Sequence, residues 1–179
     1  MRPLSERDFF SWKKAQEEML PAKSLFDAPG KPLKECNRTE FKKILRKHRE
    51  GIKGNQHYSF GVFLKGKKCL IGYLGVKHIL RGHYHSASIG YWIFNNYWGN
   101  GYATEATDLC VTIAFEDLKL HRVEAEIQPA NKPSIKVVRK LGFWKEGLSK
   151  KRLFMRGRWR DYLVYALTCE KRGYSLNLT

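Results

Sequence analysis

Residues 95–106 read NNYWGNGYATEA, with Gly99 and Gly101 one residue apart between an aromatic-rich extended stretch and a helical pattern. Glycine has no Cβ, so an anion can reach the backbone there. The first N–H groups of a helix have no intrahelical acceptor and carry partial positive charge. The run from Trp98 through Gly99, Asn100, Gly101, Tyr102, Ala103 and Thr104 is therefore a candidate holder of a phosphate or pyrophosphate. Two nucleotide loops are excluded. A dinucleotide fingerprint needs Gly or Ala three residues after Gly101, where Thr104 stands. A Walker loop over Gly61–Lys67 needs a hydroxyl where Lys68 stands, and a helix where the pattern is strand, turn and strand. A plain tight turn stays open as the alternative.

A second constellation is RVEAEIQ at 122–128. Strand alternation puts Val123, Ala125 and Ile127 on one face and Glu124, Glu126 and Gln128 on the other. Two carboxylates on a covered central strand need a polar cleft. Burial against an apolar pocket raises a carboxylate's affinity for a proton, which suits a general base. The alternative for Glu126 is an ion pair with Arg122 or another cation. His83 and His85 have the spacing of a metal pair, but no third ligand accompanies them, so no metal is expected. Glu105 and Asp108 lie in first helical turns, where they answer the dipole, and Cys110 falls on an apolar helix face.

The elements that must position these residues follow the order ααβββαβαββ. Ser5 or Asp8 caps a helix over FFSWKKAQEEML, a loop holds Pro29, Gly30 and Pro32, and Thr39 with Glu40 opens EFKKILRKHREGI. Strands follow over HYSFGVFL, CLIGYLGV and ASIGYWIF. A helix over 101–120 precedes strand RVEAEIQ, helix KPSIKVVRKLGF and two strands flanking Arg156-Gly157. This is one mixed α/β domain over 1–179, with any strand before the first helix very short. No signal peptide or bilayer-length apolar run is evident, and the cysteines lack metal or disulfide spacing, so a cytoplasmic setting without membrane contact is expected. The 34 Lys and Arg against 17 Asp and Glu give a net charge of +17, which attracts anions and disfavours polycationic substrates. Seven of those cations lie in 145–160 with Phe154 and Trp159 among them, a pattern for RNA contact or for solvated surface.

IGYWIF with NNYWGNGYATEA, then HRVEAEIQPANKPSIKVVRKLGFWKEG and GRWRDYLVYAL, together resemble the GNAT (Gcn5-related) acetyltransferases, most closely their RimJ/RimL-like branch. The resemblance covers roughly residues 2–170 and implies a central twisted mixed sheet flanked by helices and splayed between the family's fourth and fifth strands, with acetyl-CoA in the splay. It implies that the glycine turn holds the pyrophosphate of acetyl-CoA, with Asn96 at the motif's Arg/Gln position, and that Ile93 and Phe94 pair with the pantetheine arm. A backbone N–H near Phe94 would face the thioester oxygen. Glu126 matches the family's general base. Val138 stands where many members carry an acid tyrosine, which leaves Ser134 to serve the leaving sulfur and Asn131 to hold pantetheine. Lys136 and Arg139 would neighbour the nucleotide phosphates, and His85, Tyr91 and Trp92 the acceptor side. The implied acceptor is a protein N-terminal α-amine, ribosomal by family custom; a small amine, or an RNA- or ribosome-binding module with weak catalysis, are the alternatives.

Overall fold

The computed structural model describes residues 1–27 and 30–175, so residues 28–29, Pro29 among them, and 176–179 lie outside the described residues. Four main helices, α1 (Phe9–Glu17), α2 (Arg38–Lys53), α3 (Tyr102–Thr112) and α4 (Lys132–Lys140), accompany six strands. The strands are β1 (His57–Phe63), β2 (Leu70–Leu80), β3 (Ser86–Ile93), β4 (Arg122–Ile127), β5 (Trp144–Met155) and β6 (Arg158–Thr168). They form one mixed sheet in the order β1-β2-β3-β4-β6-β5. Ahead of the first helix, Arg2 makes a single antiparallel bridge with Gly61. β3 runs parallel to β4, and their register covers Ser86↔Arg122 through Ser88↔Glu124. No helix among the described residues is long and apolar enough to cross a membrane.

The chain groups into two compact units, residues 1–75 with 91–106, and 76–90 with 107–179. The first is built on aromatic packing. Trp12 lies 5.1 Å from Phe41 and Phe9 lies 5.8 Å from Phe41, ring centre to ring centre, with Leu45, Leu70 and the fully buried Phe94 in the same cluster. α2 starts at Asn37, whose Oδ1 accepts from the Glu40 N–H at 3.0 Å. The expected opening at Thr39 is thus two residues late, since an asparagine amide caps as well as a hydroxyl. Asn95, 2 % exposed, donates through Nδ2 to the carbonyls of Leu20 and Pro21 and to Asp27 Oδ2 at 2.8–3.0 Å. That buried amide fastens the 20–27 loop to the chain leaving β3.

The Arg2 guanidinium grips Asp8 at 2.7 and 2.5 Å, and the Ser5 N–H and hydroxyl add bonds of 2.8 and 2.9 Å. Arg2 thereby holds the Asp8 carboxyl below the usual carboxylate range. A depressed carboxyl contributes stability above its unfolded pKa, about 4, and loses it as pH falls through the folded value. Asp8→Asn should therefore cost about 1–3 kcal/mol at neutral pH. Urea denaturation of the two proteins should converge once the pH is well below about 4; an equal gap in acid would remove Asp8 from the account.

In the second unit, α3 runs on into a π-helical turn over Ile113–Asp117, where the Leu118 N–H reaches the Ile113 carbonyl at 2.9 Å. Cys110, Val111 and Ala114 are fully buried, and burial pushes the Cys110 thiol up to about 12, as an inert core sulfur. α4 ends in a Schellman turn: Gly142 has φ +85°, and the Phe143 N–H bonds the Val138 carbonyl at 3.1 Å.

Candidate active site

The glycine turn is built by the exit from β3 and the start of α3. A single 3-10 turn over Asn95–Tyr97 reverses the chain. Gly99 and Gly101 then adopt φ +82° and +80°, conformations that residues with a Cβ rarely hold. A Cβ built on either would meet nothing within 4 Å, so this side of the backbone is open. The Gly101 carbonyl accepts from Thr104 and Glu105 at 2.9 and 3.1 Å and starts α3. The N–H groups of Gly99, Asn100, Gly101 and Tyr102 have no acceptor among the described residues. Four successive donors at a helix start, beside two open glycines, suit a pyrophosphate. The Asn100 side chain turns back to the Tyr97 and Trp98 carbonyls at 3.1 Å and braces the turn. Thr104 belongs to the turn through the bond that starts the helix, not as a free donor.

Upstream, the backbone is more committed than the sequence suggested. The Phe94 N–H donates to the Ile71 carbonyl at 2.9 Å, and its carbonyl accepts from Tyr97 at 2.9 Å. The Ile93 carbonyl accepts from Trp98 Nε1 at 2.7 Å. Phe94's own N–H is therefore not available as the thioester donor, because neighbouring β2 has already taken it. Trp92 stacks on Tyr73 at 6.0 Å and meets Phe94 edge-on at 5.0 Å, which makes it part of the aromatic core, although its Nε1 is buried without a partner. Tyr91 is half-buried beside it in sequence.

β4 shows the expected alternation: Val123, Ala125 and Ile127 are buried, while Arg122, Glu124 and Glu126 are half-buried. Both carboxylates are ion-paired. Arg122 binds Glu124 at 2.8 Å and also grips Glu146, whose carboxyl it holds below the usual range. Glu126, its side chain 15 % exposed, accepts from Arg152 at 2.8 Å. The apolar setting expected for Glu126 is thus replaced by a guanidinium: Arg152, in the stretch where the β5 register shifts between Ser149 and Leu153, reaches its carboxylate.

At the start of α4, Asn131 Oδ1 caps the helix through the Ser134 N–H at 3.3 Å, while its Nδ2 has no partner among the described residues. Lys136 and Arg139 are exposed on the same helix, and Val138 is fully buried. His85 has φ +41° and a buried Nδ1 without a partner, and its carbonyl accepts from the His121 and Arg122 N–H groups at 2.7 and 3.1 Å. Asp108 pairs with Arg172 at 2.6 Å. A cluster not foreseen joins His121, Cys169 and Glu170, with ligand-type atoms within 4.8 Å of one another and His121 Nε2 3.0 Å from Glu170. His121 lies far in sequence from the adjacent Cys169 and Glu170, and the Cys169 N–H bonds the His121 carbonyl at 2.8 Å.

A mixed sheet flanked by helices, with a glycine turn at the head of α3, is the architecture of an acyltransferase family. The chain belongs to the GNAT acetyltransferases: residues 1–144 match the family described as Acetyltransferase (GNAT) domain. It is 35 % identical over 161 residues to a probable N-acetyltransferase of Bacillus subtilis (strain 168), covering 90 % of this chain and 81 % of that one. It is 34 % identical over 111 residues to the ribosomal protein uS5 alanine N-acetyltransferase of Escherichia coli (strain K12), covering 62 % of this chain and 57 % of that one. Mycobacterium smegmatis RimJ, solved in complex with CoA-disulfide, superposes with a TM-score of 0.80 at 31 % identity, covering 98 % of this chain and 84 % of that one. The protein is an N-acetyltransferase, and its family uses acetyl-CoA.

Proposed function

We propose that this acetyltransferase acts on the N-terminal α-amine of a protein, with ribosomal proteins as the acceptor class, and that residues 1–179 form one catalytic domain in a reducing, cytoplasmic setting. The observation that carries the cofactor half is the row of four unpartnered N–H groups from Gly99 to Tyr102. The acceptor half is supported by the ribosomal-protein acetyltransferases among its relatives and by a +17 charge that disfavours polyamines. The free state of all four cysteines suits a reducing compartment.

Bound acetyl-CoA supplies a thioester whose carbonyl carbon takes the acceptor amine, so that a C–N bond forms and the C–S bond breaks. In this reading the Gly99–Tyr102 donors hold the pyrophosphate, and Asn131 Nδ2 binds a pantetheine amide. Glu126 removes the proton from the acceptor ammonium, after Arg152 yields. The arginine side chain is 52 % exposed against 15 % for Glu126, so water takes up the guanidinium as it leaves the carboxylate. The Ser134 hydroxyl hydrogen-bonds the departing sulfur, and the remaining proton that the attacking nitrogen sheds passes to that sulfur to give the free thiol. His85, Tyr91 and Trp92 are the acceptor-side candidates, with Trp92 acting through packing.

A panel of peptides differing in their first residue, assayed with acetyl-CoA beside spermidine and small primary amines, tests the acceptor. Acetyl groups should appear on the α-amine of peptides beginning with Ala or Ser and vanish when that amine is blocked. Faster turnover of a free small amine would assign the protein to small-molecule acetylation. Failure of acetyl-CoA to raise the melting temperature would favour a binding module that has lost catalysis.

A further inference from the structure

Apart from Arg152, the outer part of the β5–β6 hairpin serves no role in acetyl transfer described above. Residues 150–159 are all exposed, and the register there pairs Leu153↔Arg160, Phe154↔Trp159 and Met155↔Arg158. The chain turns at Arg156 and Gly157 with φ +51° and +75°, the double left-handed pattern of a two-residue hairpin turn. Asn or Gly fits the first of those positions, whereas arginine there is strained. Lys151 is also left-handed, with φ +48° at the bulge, its N–H fixed on Asp161 at 2.8 Å. Two cations are thus held in conformations their side chains disfavour, which points to a role for the charge.

Phe154 and Trp159 are 61 % and 60 % exposed, with ring centres 5.6 Å apart in a T-shape. Of the seven cations in 145–160, Arg152 is engaged by Glu126, while Lys145, Lys150, Lys151, Arg156, Arg158 and Arg160 have no ion-pair partner among the described residues. The one acid in that stretch, Glu146, is occupied by Arg122. A second copy of a chain carrying +17 would bring like charges together here. An acidic peptide would answer the cations and leave the ring faces unused. Only a polyanion with flat apolar faces answers both.

We propose that this hairpin is a docking surface for single-stranded nucleic acid, whose phosphates meet Lys150, Arg156 and Arg158 and whose bases stack on Phe154 and Trp159. The test is fluorescence anisotropy with labelled oligouridylate, oligothymidylate and a duplex of the same length, across a salt series. Single strands should bind, RNA and DNA alike, with log K falling against log salt by about 0.7 per phosphate contact. Arg156→Glu with Arg158→Glu should flatten that slope. Phe154→Ala with Trp159→Ala should weaken binding about tenfold or more at every salt with the slope kept, and Trp159→Phe should retain it. These positions are exposed, so matched circular dichroism and melting curves should show each variant folded. Variants that bind like the parent, or a duplex bound more tightly than single strands, would overturn the proposal. So would polyglutamate competing as well as RNA, which would assign the face to an acidic protein. A doubling of mass abolished by the aromatic pair would assign it to a second copy.

Discussion

Gly101→Val should weaken acetyl-CoA binding by at least about tenfold while the protein still folds. The N–H groups of Gly99, Asn100, Gly101 and Tyr102 are unpartnered, and hydrogen bonds to a charged group are worth about 1.5–3 kcal/mol each. Losing one already gives a tenfold effect. Gly101 holds φ +80°, where a β-branched residue is a true outlier, so valine must either accept strain or swing the peptide planes that aim these donors. No heavy atom lies within 4 Å of the added Cβ, so no core contact is damaged. The folding cost is therefore backbone strain of about 1–2 kcal/mol. Gly66→Val is the matching control: Gly66 has φ +72° and equally open space in the β1–β2 turn, and carries none of the proposed donors. Calorimetric titration with acetyl-CoA, beside melting of the free proteins, separates the effects. Both variants should lose similar stability, and only Gly101→Val should lose the ligand. If the two bind acetyl-CoA alike, the glycines serve a turn and the pyrophosphate site lies elsewhere.

What was legible in the sequence was local. The order of helices and strands follows from periodicity and punctuation, and Gly142 and the Arg156-Gly157 pair stop their elements where the structure stops them. The two faces of β4 were readable because strand alternation needs no partner to be known. The open glycine turn was readable as two possibilities, and the unpartnered N–H groups favour the ligand. Long-range pairings were not legible. Nothing near Glu126 in the chain announces Arg152, which reaches it from 26 residues away. Nothing near Phe94 shows that Ile71 takes its N–H, since that depends on which strand lies beside β3. The same holds for Asn95 reaching Asp27 and for Cys169 reaching His121. Each hydrogen-bonding capacity was visible, but its partner was set by topology.

The pairing of Glu126 with Arg152 leads to the other large effect. Glu126→Gln should lower kcat by about 100-fold to 10,000-fold, the range for removing a general base, with acetyl-CoA affinity unchanged. The amide keeps the shape and can still accept a hydrogen bond, but it cannot take a proton from the acceptor. A purely structural carboxylate makes a different prediction. It would act through its ion pair at 2.8 Å, so removing either partner would cost the same, and removing both would cost no more than one. Arg152→Met is the discriminating partner. With its side chain 52 % exposed, the guanidinium is screened by water, and its loss should change kcat by no more than a few-fold. In the general-base account it could even raise the rate, because the carboxylate no longer has to release a cation before accepting the proton. Steady-state kinetics of both single variants and the double, with cofactor binding measured alongside, decides the matter. A large loss confined to the variants lacking Glu126 assigns the proton transfer to it. Equal losses in Arg152→Met and Glu126→Gln would make the pair a structural brace and move the proton to a water or another residue.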